Sequence, residues 1–199
     1  VKLVVSDTGD TIYRARLMAK LLEVAGRSDV PIGVGLPFDT YRQYLQAGWV
    51  EGYDLGAYPG QVLDDGVQAI VDTIMKSPDP VTLVCIGPVP NIAAALEREP
   101  GIVGNARFVG MHGSVRQGYG GSAQISAECN VVNHTPACQQ VLSAGWDMTI
   151  TPLDTCGLVV LEGDDYRKVR QCEDPLIQAL MENYRIWLEA GDRPLAYLE

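Results

Sequence analysis

Apolar and polar positions along this chain follow two alternating periods. Short runs rich in β-branched and aliphatic residues read as strands: Val1–Ser6 (VKLVVS), Ile32–Val34, Val81–Ile86 (VTLVCI), Arg107–Met111 (RFVGM) and Asp147–Leu153. The Val81–Ile86 run is apolar enough to predict a strand buried on both faces, as in a parallel sheet. Between the strands, apolar residues recur at helical spacing. Leu17, Leu21, Leu22 and Ala25 mark a helix over Ile12–Ala25 with Gly26 as its stop. Val67, Ile70, Val71 and Ile74 mark a second, running through Lys76, and the helix formers Ala93–Leu96 follow Asn91. A fourth helix lies around Pro136–Ala144, and a long amphipathic one over Pro175–Ala190. Leu176, Leu180, Met181, Tyr184, Trp187 and Leu188 form the predicted buried side of that last helix. The order is strand then helix throughout, without internal repeat or composition break. It predicts one α/β domain over residues 1–199, a mostly parallel Rossmann-like open sheet with helices on both faces.

Two stretches leave the periods. Pro37–Gly60 is rich in aromatics (Phe38, Tyr41, Tyr44, Trp49, Tyr53, Tyr58), as in a lid or pocket wall, or in a segment sealing a core edge. His112–Ser126 is glycine-rich and reads as flexible, with His112, Arg116 and Tyr119 in it. Asp64-Asp65 before the second helix suits helix capping better than a metal site.

Composition narrows the chemistry. With 47% apolar and 20% charged residues over 199 positions, the chain has enough to build a sizeable core. A net charge of −10 argues against nucleic acid and anionic membranes and favours a small neutral or cationic ligand. Five cysteines without CxxC spacing suit reduced thiols in a cytoplasmic protein. No apolar run reaches bilayer length, and no signal peptide is apparent. The start at Val1 on a core strand and the Leu198-Glu199 end suggest a chain incomplete at both ends.

Functional residues of an open α/β sheet lie just past the strands' C-terminal ends. That rule selects Asp7 and Asp10, Ile86 to Asn91, Met111 and His112, Glu128 and Asn130, and Asp154. Carboxylates, amides and main-chain carbonyls of this kind can bind sugar hydroxyls or a hard cation such as calcium. GxSxG, GxGxxG and GxxxxGK[ST] do not occur, so nothing points to a serine elbow, a dinucleotide or ATP.

The blocks VTLVCIGPVPNIAAALEREP, RFVGMHG, AECNVVNH and MTITPLDTCG resemble the inosine-uridine preferring nucleoside hydrolases. LVVSDTGDT followed by LLEVAGRSDVPIGVG resembles that family's second strand, first major helix and next strand. An unrelated Rossmann-like ligand domain would explain the alternation but not this order of blocks. The resemblance, to a divergent branch, implies a glycosidase of purine and pyrimidine salvage that cleaves ribonucleosides to ribose and free base. In the family a calcium ion holds the attacking water and the ribose hydroxyls. It also implies a homo-oligomer, dimer or tetramer, which the Pro175–Ala190 helix could mediate.

Residue by residue, the resemblance implies that Asp10 takes a ribose-binding asparagine's place and that the Ile86 carbonyl is a calcium ligand. Met111 would lie beneath the ribose, and Glu128 and Asn130 would bind its hydroxyls. Ser122 stands where an asparagine would bind the sugar. Asn91 reads as structural, capping the helix, and Asp154 as structural too. The family's DxDxGxDD, which carries three calcium-binding carboxylates and the general base, does not occur in this sequence. In relatives it precedes the strand at Val1, and a further calcium-binding segment would follow Glu199. The expectation is therefore a half-built calcium site. The alternative is a truncated or degenerate relative that binds a sugar-like ligand without catalysis.

Overall fold

Six short strands, each parallel to its neighbours, carry the fold in this computed structural model, which describes residues 1–38 and 43–191. Tyr41 and the Leu198-Glu199 end lie outside the described residues. The order is β1 (Val4–Val5), α1 (Thr11–Val24), β2 (Ile32–Gly33), β3 (Val62–Leu63), α2 (Gly66–Met75), β4 (Val81–Cys85), α3 (Pro90–Arg98) and β5 (Ala106–Gly110). Then come α4 (Cys129–Val132), α5 (Thr135–Ser143), β6 (Met148–Ile150), α6 (Leu153–Cys156), α7 (Gly163–Arg170) and α8 (Pro175–Ala190). The α/β class and the parallel strands agree with the sequence reading. The sheet comes in two halves, β1-β2-β3 and β4-β5-β6. Val4 stands opposite Ile32 and Ile32 opposite Val62 in the first half. Val81 pairs with Ala106 and Phe108 with Met148 in the second.

The largest core lies under both halves, where α2, α3 and α5 pack on Leu3, Val5, Leu83, Cys85 and Phe108. Phe108 is fully buried and stacks on Trp146, ring centroids 5.4 Å apart. On the opposite face of the first half, Ala15 and Ala19 of α1 meet Ile32 and Tyr58. The closeness of β2 and α2 depends on glycine: a Cβ on Gly33 would stand 2.9 Å from the Gly66 Cα.

Several elements depart from the sequence reading. The Val81–Ile86 run is buried on one face only, because nothing in the described residues packs over its other side; Val84 is 64% and Ile86 80% exposed. Strand β3 and helix α7 were not anticipated. Val62–Leu63 is only two residues long, and α7 has a strongly polar sequence with one buried residue, Tyr166. Helix α8 has the expected span, and of its expected buried side Leu176, Met181, Tyr184 and Trp187 are half-buried. Asn183 and Leu188 are buried, Ala179 and Ile186 pack near Trp49, and the expected Leu180 is exposed. Of the aromatic stretch, Trp49 and Tyr58 seal the core, and the Tyr58 hydroxyl donates to the Val30 carbonyl at 2.9 Å. Asp65 caps α2 by accepting from the Gln68 amide at 2.9 Å, as expected. No helix among the described residues is long and apolar enough to cross a membrane.

Replacing Phe108 with alanine should remove the Trp146 stack and leave a cavity beneath β5. The expected cost is about 3–5 kcal/mol, read as a lower urea midpoint at unchanged m-value.

Candidate active site

Chain ends of the two half-sheets meet at one rim, and a single amide side chain joins them. Asn91 is buried at the second position of α3. Its Oδ1 accepts from the Leu36 amide at 2.7 Å, and its Nδ2 donates to the Ser6 carbonyl at 3.2 Å and to Asp7 Oδ1 at 3.2 Å. The expected capping role is therefore not observed. Pro90 opens α3 after Val89, which offers no side-chain cap, and Asn91 ties the ends of β1 and β2 to the turn after β4. Ser6, which the sequence reading passed over, assists: its hydroxyl accepts from the Gly35 amide at 3.0 Å. A polar residue closing an apolar strand was the available signal.

Beyond Ser6 the backbone turns sharply. Thr8 holds φ +74°, a left-handed conformation that costs a β-branched residue roughly 1–2 kcal/mol. The turn keeps the Asp7 carboxyl against Gly87: a Cβ on Gly87 would be 2.7 Å from Asp7 Oδ2. Burial raises the Asp7 pKa from 3.8 to about 6, against the opposing pull of its Thr8 hydrogen bonds and the Arg14 charge. Asp10, at the other end of the turn, caps α1 by accepting from the Tyr13 amide at 3.0 Å, and takes the Tyr44 hydroxyl at 3.1 Å on its second oxygen. It borders a cleft of about 550 Å³ shared with Leu36, Asp64, Asp65 and Arg98.

The second cluster gathers past β5. Asn130 Nδ2 donates to the Met111 carbonyl at 2.9 Å and lies 3.3 Å from its Sδ. Glu128 is buried and caps α4. Its oxygens accept from the amides of Gly113 (3.0 Å), Asn130 (2.8 Å) and Val131 (3.2 Å). Met111, Glu128 and Asn130 thus stand together past the end of β5. His112 is buried between the clusters and donates from Nε2 to the Gly87 carbonyl at 3.0 Å; its Nδ1 has no protein partner. Burial holds its pKa below the ordinary value, against the opposing pull of the Gly87 hydrogen bond and the Glu128 charge. Asp154 accepts from the amides of Val115, Arg116 and Gln117 at 2.8, 2.7 and 3.2 Å, which pins the start of the glycine-rich segment and keeps its carboxyl below the usual range. Ser122 is exposed within that segment, its hydroxyl accepting from the Gln124 amide at 3.1 Å.

Ile86 lies at the rim between the clusters. The Cys85 carbonyl accepts from the Met111 amide at 2.9 Å, so strand alternation turns the next carbonyl, that of Ile86, away from β5. Among the described residues, no three His, Cys, Asp or Glu side chains stand close enough to hold a metal ion. Calcium takes six to eight oxygens, and the Glu128 oxygens already serve backbone amides. The residues present do not complete a calcium shell, and no step below runs through a metal.

A mostly parallel α/β sheet with a polar rim at its strand ends is a ligand-binding architecture, and its lineage is specific. Residues 1–193 match the inosine-uridine preferring nucleoside hydrolase family, and the chain belongs to it. It is 31% identical over 168 residues to the non-specific ribonucleoside hydrolase RihC of Klebsiella pneumoniae, an alignment covering 79% of this chain and 54% of that protein. The chain therefore spans about half the length of the curated relatives it matches. The fold is similar to the inosine-uridine preferring nucleoside hydrolase from Bacillus anthracis, with a TM-score of 0.68 at 18% identity over 98% of this chain and 78% of that one. It is also similar to the purine-preferring ribonucleoside hydrolase from Gardnerella vaginalis, with a TM-score of 0.71 at 21% identity over 96% and 65%.

The Asp7 environment predicts a pH signature. With its folded pKa above the unfolded value, the protonated carboxyl favours the fold. Its contribution is complete below about pH 4 and is lost as pH rises through about 6. Asp7→Asn should therefore gain on the parent protein by on the order of 2 kcal/mol between pH 4 and pH 7. Urea midpoints of both proteins at several pH values measure the difference; parallel pH curves would contradict it.

Proposed function

We propose that this chain forms the sugar-binding wall of a ribonucleoside N-glycosidase, which cleaves the bond between ribose and base. The observation that carries the reading is the convergence of Met111, Glu128 and Asn130 past the C-terminal end of β5 in a chain of this family. The Met111 thioether offers a soft apolar floor for a ribose ring. Asn130 spends its amide hydrogens on Met111 and keeps Oδ1 for a sugar hydroxyl donor. Glu128 sets the shape of this wall by clamping three backbone amides, so its part is to position Asn130. N-glycoside cleavage passes through an oxocarbenium-like state, and hydroxyl contacts that tighten there lower the barrier. Ile86 and Asp7 are the oxygen donors this chain would offer a calcium ion, whose chemistry would be to polarise water, and the described residues do not complete its shell. The substrate is a small nucleoside, in keeping with the net charge of −10, and the setting is cytoplasmic.

A second reading, a sugar-binding relative without hydrolysis, is favoured by one observation: the absence of a metal-holding cluster among the described residues. Ribose release from inosine, uridine and p-nitrophenyl riboside, measured with and without calcium, separates the two. On the glycosidase reading Asn130→Ala should lower kcat/KM roughly 100-fold, about 2.7 kcal/mol of transition-state binding, while Asn130→Asp retains more. Nucleoside binding without ribose release would establish the second reading instead.

A further inference from the structure

His112 joins the two clusters, through its backbone on one side and its ring on the other. Its neighbours belong to the sugar-binding wall. The Met111 carbonyl accepts from the Asn130 side chain at 2.9 Å, and the Gly113 amide donates to Glu128 Oε2 at 3.0 Å. The ring crosses to the turn after β4, where Nε2 stands 3.0 Å from the Gly87 carbonyl. That turn lies past the last rung of the β4–β5 ladder, Cys85 opposite Gly110, and Pro88 brings no N–H to it. Gly87 itself abuts Asp7, whose carboxyl leaves no room for a Cβ there.

The imidazole is held from below. It is buried, and its centroid lies 5.8 Å from that of Phe108, which stacks on Trp146. Gly110 provides the space the two rings share: a Cβ on it would stand 2.6 Å from His112 Nδ1 and would also meet the Phe108 ring. Phe108, Gly110 and His112 alternate along one face of β5 and the residues after it, so the strand aims the imidazole. A carbonyl oxygen only accepts, so Nε2 carries a proton. Nδ1 is buried without a partner in either protonation state, which costs free energy that an apolar ring of the same shape would not. What histidine adds over phenylalanine at this position is the bond to Gly87.

We propose that His112 is a positioning residue: it fixes the Ile86–Gly87 turn, and Asp7 against it, relative to Met111 and Asn130, so that both clusters face one ribonucleoside. Its part in binding rests on the glycosidase reading; its part in placing the turn does not.

Two variants of the full chain, His112→Phe and His112→Gln, test this by urea midpoint, by amide nitrogen–proton resonances and by calorimetric titration with inosine. His112→Phe removes both the bond and the unpartnered nitrogen. It should keep or raise the midpoint, shift the Gly87 amide and Asn130 side-chain resonances, and weaken inosine binding about tenfold. His112→Gln, which offers an N–H on a side chain of similar reach, should return the resonances toward the parent's and recover most of the affinity. A packing role would instead lower midpoint and affinity together in both variants. That result, unmoved Gly87 and Asn130 resonances, or parent-like inosine affinity in His112→Phe would overturn the proposal. A parent chain that binds no inosine would overturn the glycosidase reading and the role in binding with it, and the resonances alone would then decide the placement.

Discussion

The arrangement depends on one buried amide. Asn91 satisfies a backbone donor at the end of β2 and a backbone acceptor at the end of β1, from a helix that belongs to the other half-sheet. A buried polar group is costly unless paired, and here the pairing is shared across three elements. Because these bonds have one workable geometry, they set the position of the Asp7 turn against the Ile86–Gly87 turn. The Nε2–Gly87 bond from His112 then relates both turns to the β5 end. The site's precision derives from these side-chain-to-backbone struts more than from ladder pairing, which is only two residues long in β1, β2 and β3.

The acidic residues at the rim share a single habit. Asp10, Asp65 and Glu128 cap helices, and Asp154 gathers three consecutive amides of the segment after Gly113. Carboxylates at helix starts are favoured by the unpaired N–H groups and the positive end of the dipole. Much of the negative charge near the site is therefore used in holding loops. Asp7 differs: a half-buried carboxyl on a strained turn, bonded to the Thr8 and Asn91 side chains, with burial raising its pKa. Strain and perturbed titration together mark functional positions more often than structural ones.

Much of this was legible in the chain. Strand-helix alternation identified the class, and α1, α2, α5 and α8 fell within a residue or two of their expected spans, because their apolar spacing and stop signals are strong. Val62–Leu63 was invisible because two apolar residues carry no period, and their strand exists only through its pairing with Ile32–Gly33. The burial of Asn183 and the exposure of Leu180 in α8 were invisible for another reason. Its sequence has apolar residues on more than one face, and contact with α1 and Trp49 selects among them. At the candidate site, the strand-end rule selects Asp7, Met111, His112, Glu128 and Asn130, but residue type alone could not separate an oxygen facing a ligand from one facing an amide. Glu128 illustrates this, since its sequence context fits either use.

The half-exposed β4 joins these threads. A strand as apolar as Val81–Ile86 is built for the middle of a parallel sheet, where both faces and both edges are covered. In this chain one edge and one face are open, and the exposed Val84 and Ile86 are the mismatch between what the sequence encodes and what the described residues cover. The same mismatch appears in the chemistry: among the described residues no cluster of side chains completes a calcium shell beside the Asp7 carboxyl. Both gaps lie along the β1–β4 seam.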